Sequence, residues 1–286
     1  MTKEESGNFE YTYTSEFAVP WSLDFSDDFS KGYRVNLADR LSYEVHYSHG
    51  SDRTLFRLYA GATCKDTSGH NPANHQLHAP LLWHLHYRLL LSIVFVLDHF
   101  PTESQSSPSL QSLLKLPPVK DDFTDKAAEA GIKTKPWISV THNIPISARG
   151  TLARSRLGDI YAILKPLFEP SSEPKLICLE NYAHGILTLE NPYFFWYRVL
   201  ETLKNPDIGV IDARDRIAIV NGSSIDIDFL TEFAHYHRHS QFNVRYQRAR
   251  RQTEARWQHL LDDPKQAIRE YKDSLKPLIR QFLLTT

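Results

Sequence analysis

The chain has 286 residues, 41% of them hydrophobic and 12% aromatic, enough to bury a large core in one big domain or two smaller ones. Its 33 basic residues meet 34 acidic ones for a formal charge of −1, so no global field draws it to nucleic acid or membrane; any such binding must come from a local patch. Cys64 and Cys178 are the only cysteines and lie far apart in sequence. That usage excludes a disulfide-dense secreted scaffold and predicts two free thiols in a reducing, cytoplasmic setting, with a single disulfide as the alternative.

The opening "MTKEESGNFE" is polar and acidic and lacks the basic start and apolar centre of an export signal. The following stretch reads as strands. "FEYTYTSEFAV" is one, and "LSYEVHY" puts Leu41, Tyr43, Val45 and Tyr47 on one face. "TLFRLYA" follows after the turn-rich "SHGSDR", which predicts an antiparallel hairpin.

A face rich in Tyr and Phe needs a cover, and the next element predicted is a helix over about 80–99, with Pro80 in its first turn. Its most apolar run, "LLLSIVFVL" from Leu89 to Leu97, is about half the ~20 residues of a membrane span, so a buried helix is expected and no membrane association. Just upstream, "HNPANHQLHAPLLWHLH" supplies His70, His75, His78, His84 and His86. His75 and His78 have the i, i+3 spacing of a shared helical face, and neutral imidazoles ligate metals. Pro72 and Pro80, however, predict a loop there. Ordinary, partly buried histidines are the simpler reading; a metal-dependent hydrolase built on His70, His75 and His78 is the alternative.

"PTESQSSPSLQSLLKLPPVKDDF" is rich in Pro and Ser and predicts a linker or mobile loop over 101–126. It separates a β-rich part with a covering helix (1–100) from a helical domain (127–286). After the isolated strand-like "PWISVTHNI", three helix starts share one device, a capping residue before a proline, at "SSEP" (171–174), "NP" (191–192) and "DDP" (262–264). Three apolar stripes follow: Leu176, Leu179, Ala183 and Ile186; Tyr193, Trp196, Leu200 and Leu203; Ile268, Tyr271, Leu275, Leu278 and Phe282. The fold class expected is α+β, a small antiparallel amino-terminal sheet followed by a carboxy-terminal helical bundle.

The segment "FLTEFAHYHRHSQFNVRYQRARRQTEARWQHLL", Phe229 to Leu261, holds four histidines and six arginines against two acidic residues. Read as one helix over 225–261, it places Arg238, Arg245 and Arg256 at nearly one bearing with Arg248 beside them, and Phe242, Tyr246, Ala249 and Trp257 in an adjoining stripe. Guanidinium forks bind phosphate and rings stack on bases, so this surface suits RNA or another anionic partner. The competing reading is a solvated amphipathic face whose arginines pair with carboxylates of neighbouring helices. A protein-interaction or scaffold module is a further alternative.

Neither GxxxxGK[ST], GxGxxG nor GxSxG occurs, so no nucleotide cofactor or serine nucleophile is expected. "LICLENYAHGILTLENPYFFWYRVLETL", Leu176 to Leu203, is a helix, a short break and an aromatic-rich helix ending in "YRVLE". It resembles the core of HEPN-type helical domains. That resemblance implies a helical bundle, usually a homodimer, that binds RNA, and in active members cleaves it without metal through an Arg-x4–6-His motif. A ribonuclease is therefore the first expectation for any enzymatic activity. The motif's place is taken here by "RDRIAIVNG", in which no histidine follows Arg214 or Arg216; the only linear match, Arg40 to His46, falls in the predicted hairpin.

Overall fold

The computed structural model describes residues 9–19, 33–38, 41–47, 54–64, 72–98, 119–129, 156–188, 191–239 and 246–285. The chain forms two compact units, one of 1–90 with 101–160 and the other of 91–100 with 161–286. The architecture is α+β, with the sheet in the first unit and the helical bundle in the second.

In the first unit, β1 (Phe9–Val19), β2 (Tyr33–Ala38), β3 (Leu41–Tyr47), β4 (Thr54–Cys64) and β5 (Val119–Asp121) form an antiparallel sheet of order β2-β3-β4-β1-β5. Side chains alternate across a strand. Register therefore brings Tyr13 and Leu41 beside Ala60, Tyr43 beside Leu58 and Val45 beside Phe56 on one buried face. Opposite lies a polar ladder in which Arg57 pairs with Glu16 and the Tyr59 hydroxyl donates to Glu44 at 2.6 Å. The predicted hairpin is thus β3–β4. Val119–Asp121, inside the stretch expected as linker, joins the sheet edge, and α2 (Phe123–Glu129) follows it. "PWISVTHNI" lies outside the described residues.

The helix predicted from Pro80 starts earlier. α1 runs from Pro72 to Leu97, so Pro72 occupies its first turn and Pro80 its interior, and the expected loop around His75 and His78 is helical instead. An interior proline removes one backbone bond; burial of Leu82, Leu85, Leu89, Leu91, Ile93, Val94 and Phe95 offsets that loss. By length and composition this one helix among the described residues could cross a membrane, yet 67% of its apolar window is buried.

The second unit is built on α3 (Arg156–Leu164), whose first residues belong to the other unit, α4 (Glu173–Leu187), α5 (Tyr193–Leu203), α6 (Ile227–Arg238), α7 (Gln247–Leu261) and α8 (Pro264–Leu284). A hairpin of β6 (Ile217–Val220) and β7 (Ser223–Asp226) precedes α6. Its two-residue turn is Asn221–Gly222, both with positive φ (50° and 80°), the conformation that Asn-Gly adopts readily in tight hairpins.

Starts at Glu173, Tyr193 and Pro264 match the proline-marked sites, but the capping differs. Asp263 accepts from the Gln266 amide at 3.1 Å, Ser172 makes no side-chain cap, and Pro192 rather than Asn191 is the N-cap of α5. Helix α8 packs against α4, α5, α6 and α7, with Tyr271 as its hub. That side chain is fully buried, meets the rings of Tyr193, Trp196 and Phe229, and donates its hydroxyl to the Leu230 carbonyl at 2.8 Å. Lys175, also buried, ties down the last turn by donating to the Thr285 carbonyl at 2.7 Å.

Candidate nucleic-acid interface

Helices α5 and α6 are amphipathic, and their inward faces fix what points outward. On α5 the buried residues are Tyr193, Trp196, Val199, Leu200 and Leu203, leaving Phe194, Tyr197, Arg198 and Glu201 on the other side. On α6, Ile227, Phe229, Leu230, Phe233 and Ala234 go inward, leaving His235, Tyr236 and Arg238 outward. Asp226 caps α6 by accepting from the Phe229 amide at 2.9 Å. His235, His237 and Arg238 crowd its last turn, where partial negative charge favours cations.

Together these faces form a platform of rings and guanidinium groups. Phe194 is 40% exposed, with Arg198 5.4 Å and Arg238 5.9 Å from its ring centroid. Arg238 also lies 4.8 Å from the Tyr197 ring and 3.8 Å from the exposed Glu201 carboxylate, a long, solvated pair that holds it weakly. Rings continue along one side: His235 stands edge-on to Tyr197 at 4.8 Å, then meets His239 at 5.3 Å, and His239 stacks on Tyr246 at 3.9 Å.

These imidazoles carry little charge at neutral pH. Burial lowers His235, helped by His239, Arg238 and Lys204, and lowers His239 with Arg238. His237, stacked on Tyr193 at 4.3 Å, is pushed down to about 4 by burial and then by Arg250. The platform's positive charge therefore resides in its arginines.

The His237 shift has a consequence for folding. Its ordinary value is 6.5, so as pH falls below that the unfolded chain takes up a proton that the folded chain refuses until about 4. Stability is complete above pH 6.5 and falls as pH drops towards 4. We expect a lower urea midpoint at pH 5 than at pH 7.5, and a smaller difference in His237→Phe. His86, buried and also held near 4, retains part of the effect. Identical pH dependence in the two proteins would contradict this role for His237.

The four arginines singled out in the sequence do not form one row, because residues 225–261 are not one helix. Ile225 lies in β7, α6 ends at Arg238, and His239 is extended (φ −101°, ψ 135°) before α7 starts at Gln247. Arg238 belongs to the platform, and Arg245 and Phe242 lie outside the described residues. Arg248 is exposed, in an open groove with Gln247, Arg251 and Gln252. Neither Arg248 nor Arg251 has an ion-pair partner among the described residues. Arg256 follows the competing reading: it bonds Glu232 at 2.9 Å, lies 3.8 Å from Asp228 and sits over Trp257. Ala249 is exposed, which breaks the expected apolar stripe.

Sequence reading missed Phe194, Tyr197, Arg198, His235 and Arg251. The signal was available in the i, i+4 spacing of Phe194 with Arg198 on α5, but nothing local shows that α6 brings Arg238 to the same rings. Among the described residues no three His, Cys, Asp or Glu side chains gather as a metal site. His70 and the side chains of His75 and His78 lie outside them. Cys178 is a fully buried free thiol whose pKa burial raises, which suits packing rather than nucleophilic attack. No protein-family model, curated protein or solved structure matches this chain.

Proposed function

We propose that the helical unit binds single-stranded RNA, with Phe194 and Tyr197 stacking on bases, Arg198 and Arg238 meeting the adjacent phosphates, and Arg248 and Arg251 adding phosphate contacts on α7. The observation that carries this reading is the exposed Phe194 ring flanked by two guanidinium groups. Leaving an apolar ring in water is unfavourable, whereas an unstacked base would cover it while its phosphates meet the cations. The HEPN resemblance, including a homodimer in the cytoplasm, belongs to the same proposal. It is supported by the helix, break and aromatic helix formed by α4 and α5.

A second reading, a protein-interaction module, is favoured by Ile217 and Ile219, which are 58% and 67% exposed on β6. Variants separate the two. Phe194→Ala should weaken binding to a single-stranded RNA oligonucleotide about 5- to 150-fold, the range one stacked base contributes, with an unchanged melting temperature. Ile217→Ser with Ile219→Ser should leave RNA affinity alone. Unchanged affinity in a folded Phe194→Ala protein would overturn the stacking role.

A further inference from the structure

A cavity of about 280 Å³ lies on the seam between α6 and α7, lined by His235, Tyr236 and Tyr246 together with Thr231, Ala249 and Thr253. Glu232 and Arg250 complete its wall. We propose that this cavity seats one neutral, planar nitrogen heterocycle of nucleobase size, and that in the bound complex the occupant is an unstacked base of the strand held on α5 and α6. The second clause rests on the RNA-binding reading; the first does not.

Size is one support. Clefts for drug-sized ligands run from roughly 300 to 1,000 Å³, so this cavity admits a single ring system and excludes a dinucleotide. The chemistry of its wall is another, because aromatic surface dominates it and its one guanidinium is tied to backbone carbonyls. One Arg250 amino group donates to the carbonyls of Tyr236 at 2.8 Å and His239 at 3.3 Å, and the guanidinium carbon lies 3.9 Å from the Tyr236 ring centroid. One Glu232 oxygen is paired with Arg256, and the other is buried with no hydrogen-bond partner among the described residues. The Thr231 hydroxyl donates to the Ile227 carbonyl and accepts from Lys204, and the Thr253 hydroxyl donates to the Ala249 carbonyl. His235 is held neutral by burial and by the cations beside it.

What the wall chiefly offers is two phenol rings and an uncharged imidazole, surfaces on which a base stacks. Continuity with the platform is the remaining support. His235 lines the cavity and also meets Tyr197, whose ring carries Arg238, so a strand stacked on Phe194 and Tyr197 is led to the cavity wall.

Ala249 gives a clean test, since it is exposed at the cavity lip and a larger side chain there fills the space without entering the bundle core. We would measure binding of a single-stranded RNA dodecamer and of an abasic ribose-phosphate dodecamer of equal charge to wild type, Ala249→Phe and the smaller Ala249→Leu. Equilibrium dialysis with adenosine and with ribose 5-phosphate tests the cavity alone. The inference expects adenosine to be retained and ribose 5-phosphate not. It also expects a loss of about fivefold or more in RNA affinity in the filled variants, with no change for the abasic polymer and unaltered melting. Filled, folded variants that bind RNA and adenosine as wild type does would overturn it. If wild type binds neither polymer, the RNA reading falls and dialysis decides the cavity: adenosine retained by wild type and lost in Ala249→Phe upholds the heterocycle site, and no retention overturns it.

Discussion

Gly185→Ala should disrupt the helical unit, with an expected loss of about 3 kcal/mol or more in urea unfolding and a weakened near-ultraviolet signal from the aromatic core. A helical glycine costs roughly 0.5–1 kcal/mol relative to alanine, so on helix propensity alone the change should stabilise. Packing reverses the sign. A Cβ on Gly185 would lie 2.1 Å from Nε1 of Trp196 and 2.4 Å from its Cδ1, and an indole cannot fold away as a flexible chain would. Trp196 is held between Tyr182 and Tyr271 and donates to the Tyr182 carbonyl at 3.2 Å. Displacing it breaks that bond and the layer around Tyr271. A Cβ on Gly158, in α3, would meet nothing within 4 Å, so Gly158→Ala is the control and should be neutral or slightly stabilising. Equal stability of the two variants would contradict this account of the core.

Replacing Asp98 should cost about 2–3 kcal/mol, unusually much for a residue at a helix end. It follows α1 with φ +57°, a conformation that Asp and Asn tolerate better than alanine. Its carboxylate gathers three partners: the Tyr182 hydroxyl at 2.5 Å, Lys276 at 2.8 Å and Lys272 at 3.6 Å. Lys276 also donates to the Val96 carbonyl, satisfying the end of α1. The ion pairs are partly solvated and contribute modestly; the larger loss is the buried Tyr182 hydroxyl left without an acceptor. Asp98→Asn, which keeps an acceptor and the backbone preference, should therefore be milder than Asp98→Ala. Thermal unfolding of the pair reads the difference, and the reverse order would show that neither the acceptor nor the backbone preference sets the cost.

The helical unit was legible where local chemistry decides and opaque where a distant partner does. Prolines at 174, 192 and 264 mark helix starts to within one or two residues because proline's fixed φ suits a first turn. The stripe on α5 is buried throughout, and that on α8 is buried from Tyr271 onward. On α4 the buried face turns to include Lys175, Cys178 and Tyr182, since tyrosine packs its ring inward and this lysine reaches the chain's last turn. Pro72 and Pro80 read as loop residues, yet the run of buried side chains after them outweighs one lost backbone bond.

The Asn221–Gly222 turn is a hairpin signal legible within "RDRIAIVNG", because Asn-Gly between apolar runs favours a tight two-residue turn. Arg256 shows the other limit. On a wheel it resembles Arg248, and only the fold brings Glu232, 24 residues earlier, to within 2.9 Å.

Binding of single-stranded RNA by the arginines and exposed ring of α5, α6 and α7 is read from the affinity of the purified wild-type protein for a single-stranded RNA oligonucleotide across a series of salt concentrations. Each neutralised phosphate releases a counterion, so log K should fall linearly against log salt with a slope of about −0.7 per contact. We predict a negative slope that flattens by about 0.7 for each of Arg198, Arg238, Arg248 and Arg251 changed to glutamine, and stays unchanged for Arg256→Gln. Absence of binding at low salt, or a slope indifferent to all four arginines, would contradict the claim.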